Sequence, residues 1–341
     1  MTIKMTLDQA HDLAVRALQS CSCDEENAHA VADTMIAAER DICKSHGLFR
    51  LPGYLASLKS GKVNGSARPT IERIAPAVVR ADGHNGFAPL TLEQARGPLT
   101  ECARDNGIAA LSIVRSHHFA ALWIEVCALA EMGLCAFAFT AYKPSMAPAG
   151  GNKPFFGTNP MAFAWPRKDK PPMAFDQAAS ATARGDIMIA AREGREVEPG
   201  FGIDADGNPT TDPNEILKGA QLPFGGYKGS AIALMIELLI GPLIGERTSP
   251  ESGRLDVEDG GPPQGGELML AIDPTRFGNA DGWEAQTEAL FGELLEQEGV
   301  RLPADRRYQN REITARDGIE IVDSLYEKIL KDTGLPREFG N

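Results

Sequence analysis

A histidine and an arginine near the start of the chain could combine acid–base chemistry with anion binding. His46 and Arg50 lie in the stretch SHGLFRL, between one apolar-periodic run and the next. If the chain is helical from Ser45, the two side chains are spaced i,i+4 and project from one face. Histidine titrates near neutral pH, and arginine can grip a carboxylate through two hydrogen bonds. The pattern predicts a proton-donating site for an acidic substrate; a helix-start histidine and a solvated arginine are the alternative interpretation.

A second group of residues could bind phosphate. The glycine loop FGGYKG precedes a helix expected from Ser230, so backbone N–H groups and Lys228 could approach an anion. The loop matches neither G-x-x-x-x-G-K-[ST] nor G-x-G-x-x-G, and the second pattern is absent from the chain. A plain connection is the alternative. The arginines of RLPADRR, residues 301–307, also suit a phosphate, or form a solvated charge cluster.

Polar residues follow three other predicted elements. His117 and His118 end a buried strand, but adjacent side chains on an extended backbone point apart, so a cofactor-contacting loop is favoured over a metal site. Thr158 and Asn159 form a turn that could donate to a carboxylate or simply reverse the chain. Asp186 could orient a histidine, as carboxylates do in catalytic relays, or make an ordinary surface ion pair.

Composition limits the partners of the protein. The 341 residues are enough for two or three subdomains, and 43% hydrophobic with 24% charged residues is typical of globular proteins. A formal net charge of -13 argues against nucleic acid or an anionic membrane as a partner. Six cysteines without paired CxxC spacing, and no secretory signal or membrane-length apolar run, predict a cytoplasmic protein with reduced thiols.

Periodicity predicts a helical start, an α/β centre and a helical end. The expected parts are residues 1–75, 76–300 and 301–341, with the last segment packing back on the N-terminal helices. Helices are expected over residues 7–18, 24–41, 45–60, up to 106, 120–132, from 230, 284–298 and 317–331. Strands are expected over residues 108–114, 134–141, 161–165, 173–176 and 267–272. The Gly-, Pro- and acid-rich residues 246–266 are predicted to form a mobile surface loop.

Six blocks in this order resemble the type-2 malate/L-lactate dehydrogenase family, from about residue 6 to residue 335. The blocks are SHGLFRLPGYLASLKSG, SHHFAALW, FFGTNPMAFAWP, FDQAAS-x-x-ARGD, GIDADGNPTTDP and LPFGGYKGSAIALMIELL. Within the family, SHGLFRLPGYL, SHHFAALW and RLPADRR are most similar to the Δ1-piperideine-2-carboxylate/Δ1-pyrroline-2-carboxylate reductases.

The resemblance implies an α/β (α+β) fold. It has a non-Rossmann nicotinamide-binding domain with a mainly antiparallel central sheet, and a helical domain built from the N- and C-terminal segments. It also implies a homodimer that uses NADPH, with NADH as the other possible donor, to reduce a cyclic imino acid to L-proline or L-pipecolate in proline or lysine metabolism. The runner-up is dehydrogenation of a small 2-hydroxy acid such as malate, lactate or sulfolactate. A non-catalytic nucleotide-binding protein of the same fold is the alternative from another class.

Residue roles follow from the same resemblance. His46 matches the proton donor, with Ser45 and Asp186 as its relay, while Arg50 matches the substrate-carboxylate ligand and Thr158 a second substrate contact. Matches to cofactor contacts are His118, Phe119, Ala120, Ala121, Leu122, Asp176, Gln177, Ala178, Tyr227, Lys228, Arg301, Arg306 and Arg307. No metal is expected. Two positions depart from the family pattern, which commonly has threonine at Ala179 and, in the nearest relatives, histidine at Arg184.

Overall fold

A computed structural model describes residues 2–117 and 121–340. The helices are α1 (Leu7–Gln19), α2 (Glu25–Arg40), α3 (Leu51–Lys59), α4 (Ala88–Asn106), α5 (Trp123–Glu131), α6 (Arg184–Glu193), α7 (Pro213–Lys218), α8 (Tyr227–Leu238), α9 (Ser249–Arg254), α10 (Trp283–Leu295), α11 (Asp305–Asp317) and α12 (Asp323–Thr333). The strands are β1 (Thr2–Met5), β2 (Thr70–Ala75), β3 (Val78–Asp82), β4 (Ile108–His117), β5 (Cys135–Thr140), β6 (Met161–Trp165), β7 (Met173–Gln177), β8 (Gly202–Ile203), β9 (Pro209–Thr210), β10 (Ala220–Gln221), β11 (Gln264–Ile272) and β12 (Ile319–Val322).

A seven-stranded sheet forms the middle of the molecule. Its order is β2-β3-β4-β11-β5-β6-β7; the β3–β4 pair is parallel and the other five neighbouring pairs are antiparallel. Helices cover both faces, because neighbouring residues on a strand point to opposite sides. On β11, Met269 packs with α4 and α5, whereas Leu268 packs with α8 and the π-helical turn that ends it. The predicted mixed α/β class with a mainly antiparallel sheet is confirmed.

The two ends of the chain share a second apolar core. β1 pairs antiparallel with β12, which places Ile3 opposite Ile321. Helices α1, α2, α3 and α12 enclose buried side chains such as Leu13, Met35 and Tyr326. Helix α1 begins with a capping box between Thr6 and Gln9, and Asp24 caps α2. The division into three parts at residues 75 and 300 stays a prediction.

The predicted continuous helix from Ser45 is wrong. Two 3₁₀ turns, Lys44–His46 and Leu48–Arg50, are separated by Gly47, and the α-helix starts only at Leu51. The cause is the buried carboxylate of Glu39, which accepts the N–H of Leu48 at 2.8 Å and leaves no room for a Cβ at position 47. The i,i+4 helical spacing of His46 and Arg50 therefore does not exist.

Two other sequence expectations also fail. The helix expected over residues 317–331 is replaced by the end of α11, strand β12 and helix α12. The surface loop expected over residues 246–266 contains α9 and the first residues of β11. It is fixed by buried Ser249, whose N–H donates to Glu237 at 2.8 Å, and by the ion pair of Lys62 with Asp259 at 2.5 Å.

None of the helices within residues 2–117 and 121–340 combines the length and apolarity required to cross a membrane.

Candidate active site

His46 lies half-buried in the first 3₁₀ turn. Its Nδ1 is 3.2 Å from the hydroxyl of Ser45 and 3.6 Å from the thiol of Cys43, so Nε2 is the nitrogen left to face a ligand. Burial, followed by the positive charges of Arg50 and Arg307, lowers the pKa of His46 to about 3. The imidazole is therefore neutral at pH 7 before any anion binds.

The predicted relay residues come together where α6 begins. Neighbouring protein atoms desolvate Asp186 and raise its pKa, while the Ser45 hydroxyl and the charge of Arg50 oppose that shift. Arg50 donates from Nε to the Ser45 carbonyl at 2.7 Å. The close approach of α6 requires Gly185, since a Cβ there would lie 2.7 Å from the Cβ of Ser45. Ser45 thus contacts both Asp186 and His46.

Thr158 lies in a turn that its neighbour holds in place. Buried Asn159 donates to Glu237 at 2.7 Å and accepts the N–H of Tyr142 at 3.2 Å. The carbonyl of Thr158 accepts from the N–H of Ala179 at 2.7 Å. Within the described ranges, the Thr158 hydroxyl makes no hydrogen bond to the protein. Asn159 therefore fixes the turn, and the hydroxyl stays available to a ligand.

Asp176 connects the sheet to the site through Trp123. Its carboxylate accepts the N–H of Trp123, at the start of α5, at 3.2 Å. Burial raises the pKa of Asp176 to about 6, and the charge of Arg307 opposes that rise. The Arg307 guanidinium carbon lies 4.2 Å from the Trp123 ring, and the same ring meets that of His46 edge-on at 6.4 Å. Trp123 therefore contacts three groups of the site.

Asp41 holds both Trp123 and α11. Its side chain has no exposed surface; it accepts from the indole Nε1 of Trp123 at 2.9 Å and from Arg311 at 2.7 and 3.0 Å. Arg307 lies one helical turn before Arg311, so this ion pair positions Arg307 as well. Sequence reasoning missed Asp41, Trp123 and Arg311, because the indole–carboxylate contact joins positions 82 residues apart.

The glycine loop lies against the end of β7. Helix α8 begins at Tyr227, earlier than the expected Ser230, and the two glycines before it have φ of +54° and +61°. Gly229 packs so closely on the carbonyl of Ala179 that no Cβ fits. Tyr227 and Lys228 are exposed in the first turn, and no side chain caps this helix. The structure thus brings the segments of residues 176–180 and 224–229 together.

The other predicted cofactor residues differ in their surroundings. Ala121 and Leu122 are buried in the core with 2% and 0% exposure, which leaves only their backbone for a ligand. Arg301 and Arg306 are exposed, and Arg307 is the member of the cluster that reaches the site. Gln177 and Ala178 follow Asp176 and keep exposed surface. The predicted residues His118, Phe119 and Ala120 lie outside the described residues.

Two buried carboxyl groups that sequence reasoning missed lie where α5 meets the sheet, Glu125 on α5 and Glu267 on β11. Glu125 and Glu267 are 7% and 0% exposed, and neither has a cation within 4 Å in the described part of the chain. Burial raises the pKa of Glu125 to about 7, and burial together with the charge of Glu125 raises that of Glu267 well above its usual value. At pH 7 the pair therefore keeps at least one proton.

Over residues 2–117 and 121–340, no three His, Cys, Asp or Glu side chains are grouped so as to hold a metal ion.

Known proteins resemble this chain over nearly its whole length. A family model described as malate/L-lactate dehydrogenase matches residues 5–330. A Δ1-pyrroline-2-carboxylate/Δ1-piperideine-2-carboxylate reductase of Pseudomonas aeruginosa is 50% identical over 96% of this chain and 98% of its own. A Δ1-pyrroline-2-carboxylate reductase of Ancylobacter novellus is 46% identical, with 96% of each chain covered. The crystal structure of Δ1-piperideine-2-carboxylate reductase from Pseudomonas syringae pv. tomato superposes with a TM-score of 0.87 at 42% identity, covering 96% of this chain and 99% of the other.

Proposed function

The chain belongs to the malate/L-lactate dehydrogenase family and is an oxidoreductase, and from that premise we propose that it reduces Δ1-pyrroline-2-carboxylate and Δ1-piperideine-2-carboxylate to L-proline and L-pipecolate with NADPH. The substrate class follows the names of the relatives, which share 42–50% of their residues with this chain. In this reaction the imine carbon gains a hydride and its nitrogen gains a proton.

The main support for the proposal is that the His46 imidazole and the Arg50 guanidinium lie close together in one site. Nδ1 of His46 faces the Ser45 hydroxyl at 3.2 Å, which leaves Nε2 to protonate the imine nitrogen. Arg50 gives Nε to a carbonyl and keeps its two terminal NH₂ groups for the substrate carboxylate. A positioned histidine acid typically contributes about 10²–10⁴-fold to the rate.

The low pKa of His46 makes proton uptake depend on the substrate. Burial and the charges of Arg50 and Arg307 keep the free imidazole neutral. A carboxylate bound to Arg50 offsets one of these charges, which raises the pKa of His46. Asp186, acting through the Ser45 hydroxyl, stabilises the imidazolium that then forms. The proton donor is thus charged only when an acidic substrate is in place.

The donor groups of the site fit a nicotinamide dinucleotide. The uncapped N-terminus of α8 and exposed Lys228 suit its phosphates, and exposed Arg301 and Arg306 suit the further phosphate of NADPH over NADH. When bound, the nicotinamide supplies the hydride. We propose that it lies against the mainly antiparallel sheet, near Asp176, in a non-Rossmann arrangement.

A homodimer in the cytoplasm completes the proposal. Leu234, Leu238 and Leu243 are 49%, 54% and 64% exposed along α8 and its π-helical end, a surface that suits association with a second copy. All six cysteines are free thiols, which suits a reducing compartment.

The second candidate function changes the substrate and keeps the site. His46 and Arg50 could equally serve the C–OH/C=O couple of malate, lactate or sulfolactate, as the name of the family suggests. A purely nucleotide-binding role has less support, because the matched relatives are named as reductases.

A substrate panel tests the proposal. Oxidation of NADPH and NADH is followed with Δ1-pyrroline-2-carboxylate, Δ1-piperideine-2-carboxylate, pyruvate and oxaloacetate. We expect the two imines with NADPH to give the highest kcat/KM. A higher kcat/KM with pyruvate or oxaloacetate would favour the second candidate function. Binding of NADPH without turnover of any compound would support the hypothesis of a non-catalytic nucleotide-binding protein.

A further inference from the structure

Arg184 is a cation near Arg50 that none of the described carboxylates neutralises. It is the first residue of α6 and is half-buried. In the described ranges its side chain makes no hydrogen bond, and no carboxylate lies within 4 Å of it. Burial, opposed by Tyr142 and assisted by the charge of Arg50, lowers the pKa of its guanidinium. A partly desolvated charge without a partner is costly, so a ligand anion is the natural partner.

Arg50, which lies next to Arg184, also lacks a carboxylate partner within ion-pair distance among the described residues. Its Nε is used by the Ser45 carbonyl. Its Nη2 lies 3.1 Å from the position that a Cβ on Gly185 would occupy, directly beside the residue that follows Arg184. Two guanidinium groups that have no carboxylate partner among the described residues therefore lie on the same side of the site.

The balance of positive and negative side chains indicates how many carboxylates of a substrate the site can bind. During reduction, protonated His46 joins Arg50 and Arg184, and Asp186, which hydrogen-bonds to Ser45 and interacts with the charge of Arg50, is the carboxylate beside this group. Arg307 is balanced by Asp176 on the other side of Trp123. Among these four groups, the three cations thus exceed the one carboxylate by two charges, and one substrate carboxylate neutralises only one of them.

We infer that Arg184 binds a second acidic group of the substrate, so that the site accepts cyclic imino acids that bear two carboxylates. Arg50 holds the carboxylate next to the C=N bond, and Arg184 holds the other. This inference rests on the proposed function for its reaction, but it concerns binding and can be tested separately.

Turnover provides the first test. We compare Δ1-piperideine-2-carboxylate with Δ1-piperideine-2,6-dicarboxylate in the wild-type protein, in Arg184→Gln and in the control Arg195→Gln, which alters an exposed arginine paired with Glu193. Loss of one charge-assisted interaction should lower kcat/KM for the diacid about 10- to 100-fold in Arg184→Gln. The monoacid should change less than about threefold, and the control should resemble wild type for both.

Binding provides the second test, which needs no catalysis. Calorimetry with pyrrole-2-carboxylate and pyrrole-2,5-dicarboxylate, in the presence of NADP⁺, should show tighter binding of the diacid in wild type and loss of that preference in Arg184→Gln. Equal losses for both acids, or no preference in wild type, would overturn the inference. Diacid preference in binding without turnover of any imine would refute the proposed reaction and leave the role of Arg184 intact.

Discussion

Four arginines approach the site, and they form two pairs that differ in how their charge is neutralised. Arg307 and Arg311 lie one turn apart on α11; Arg311 is paired with buried Asp41, and Arg307 stacks on Trp123 opposite Asp176. Arg50 and Arg184 lie on the other side and have no carboxylate within 4 Å among the described residues. Arginines that pair with a carboxylate of the protein thus hold the site in place, and we expect those without such a partner to bind a ligand.

One arginine of each pair, Arg50 and Arg307, lowers the pKa of His46. Replacement of this histidine has the largest expected effect. His46→Ala should lower kcat by about 10²–10⁴-fold, because the proton donor is lost. Affinity for NADPH should stay unchanged, since this ring is assigned to the substrate. Steady-state kinetics and a fluorescence titration with NADPH measure the two quantities. Turnover close to wild type would remove His46 from the mechanism.

The matched pair is tested by taking away its anion. Asp41→Ala leaves Arg311 desolvated without a partner, and should lower the free energy of unfolding by about 3–5 kcal/mol. Urea denaturation measures the loss. Asp317→Ala is the control, because it breaks the exposed ion pair with Arg316 and should cost no more than about 1 kcal/mol. Similar small losses in both variants would contradict the structural role of the Asp41–Arg311 pair.

The unmatched pair is tested by a variant that should affect binding and leave stability alone. Arg50→Ala should raise KM for the carboxylate substrate by the equivalent of about 1.5–3 kcal/mol, with little change in the midpoint of thermal unfolding. Arg192→Ala serves as a control, because this arginine stacks on the adjacent Phe49 at 4.4 Å and is given no role in binding. An unaltered KM in Arg50→Ala would separate Arg50 from the substrate.

The smallest expected effect concerns Glu125 and Glu267, two buried carboxyl groups that have no cation within 4 Å among the described residues. Their pKa values are raised in the folded state, so well below pH 4.5 both the folded and the unfolded chain hold these protons and the pair costs no ionic free energy. As the pH rises, the unfolded chain releases protons that the folded chain retains, and stability falls through pH 7 and beyond. Glu267→Gln should therefore be about 1–3 kcal/mol more stable than wild type at pH 8 and should lose most of that gain at pH 4.5.

Urea denaturation at the two pH values measures this difference. A gain that is the same at both pH values would show that packing, and not titration, is responsible.

Local signals made part of the fold predictable from sequence. The capping box of Thr6 and Gln9 and the cap at Asp24 correctly start α1 and α2. Strands β1 and β12 have four residues each and pair across more than 300 positions, so periodicity cannot detect them. The helix expected from Ser45 failed because a buried carboxylate from α2 interrupts the backbone at Gly47.

The site likewise has residues that the sequence indicated and residues that only the tertiary structure reveals. Family blocks indicated Ser45, His46, Arg50 and Asp186, and the structure brings these four together, although the helical geometry first used to relate His46 and Arg50 was wrong. Asp41 and Trp123 could not be predicted, because an aspartate after a helix and a tryptophan at the start of another carry no sign of mutual contact. Their roles exist only in the tertiary structure.

The antiparallel pairing of β1 with β12 has a consequence for how the protein is made. On the ribosome, β1 emerges more than 300 residues before its partner β12. Helix α11, which carries Arg307 and Arg311, is synthesised just before β12. Until β12 and α12 are synthesised, the N-terminal helices expose the apolar side chains that they bury in the folded protein. Chaperones bind nascent chains that expose such surfaces. Activity should begin only after β12 and α12 have been synthesised, so translation products truncated before β12 are expected to be inert.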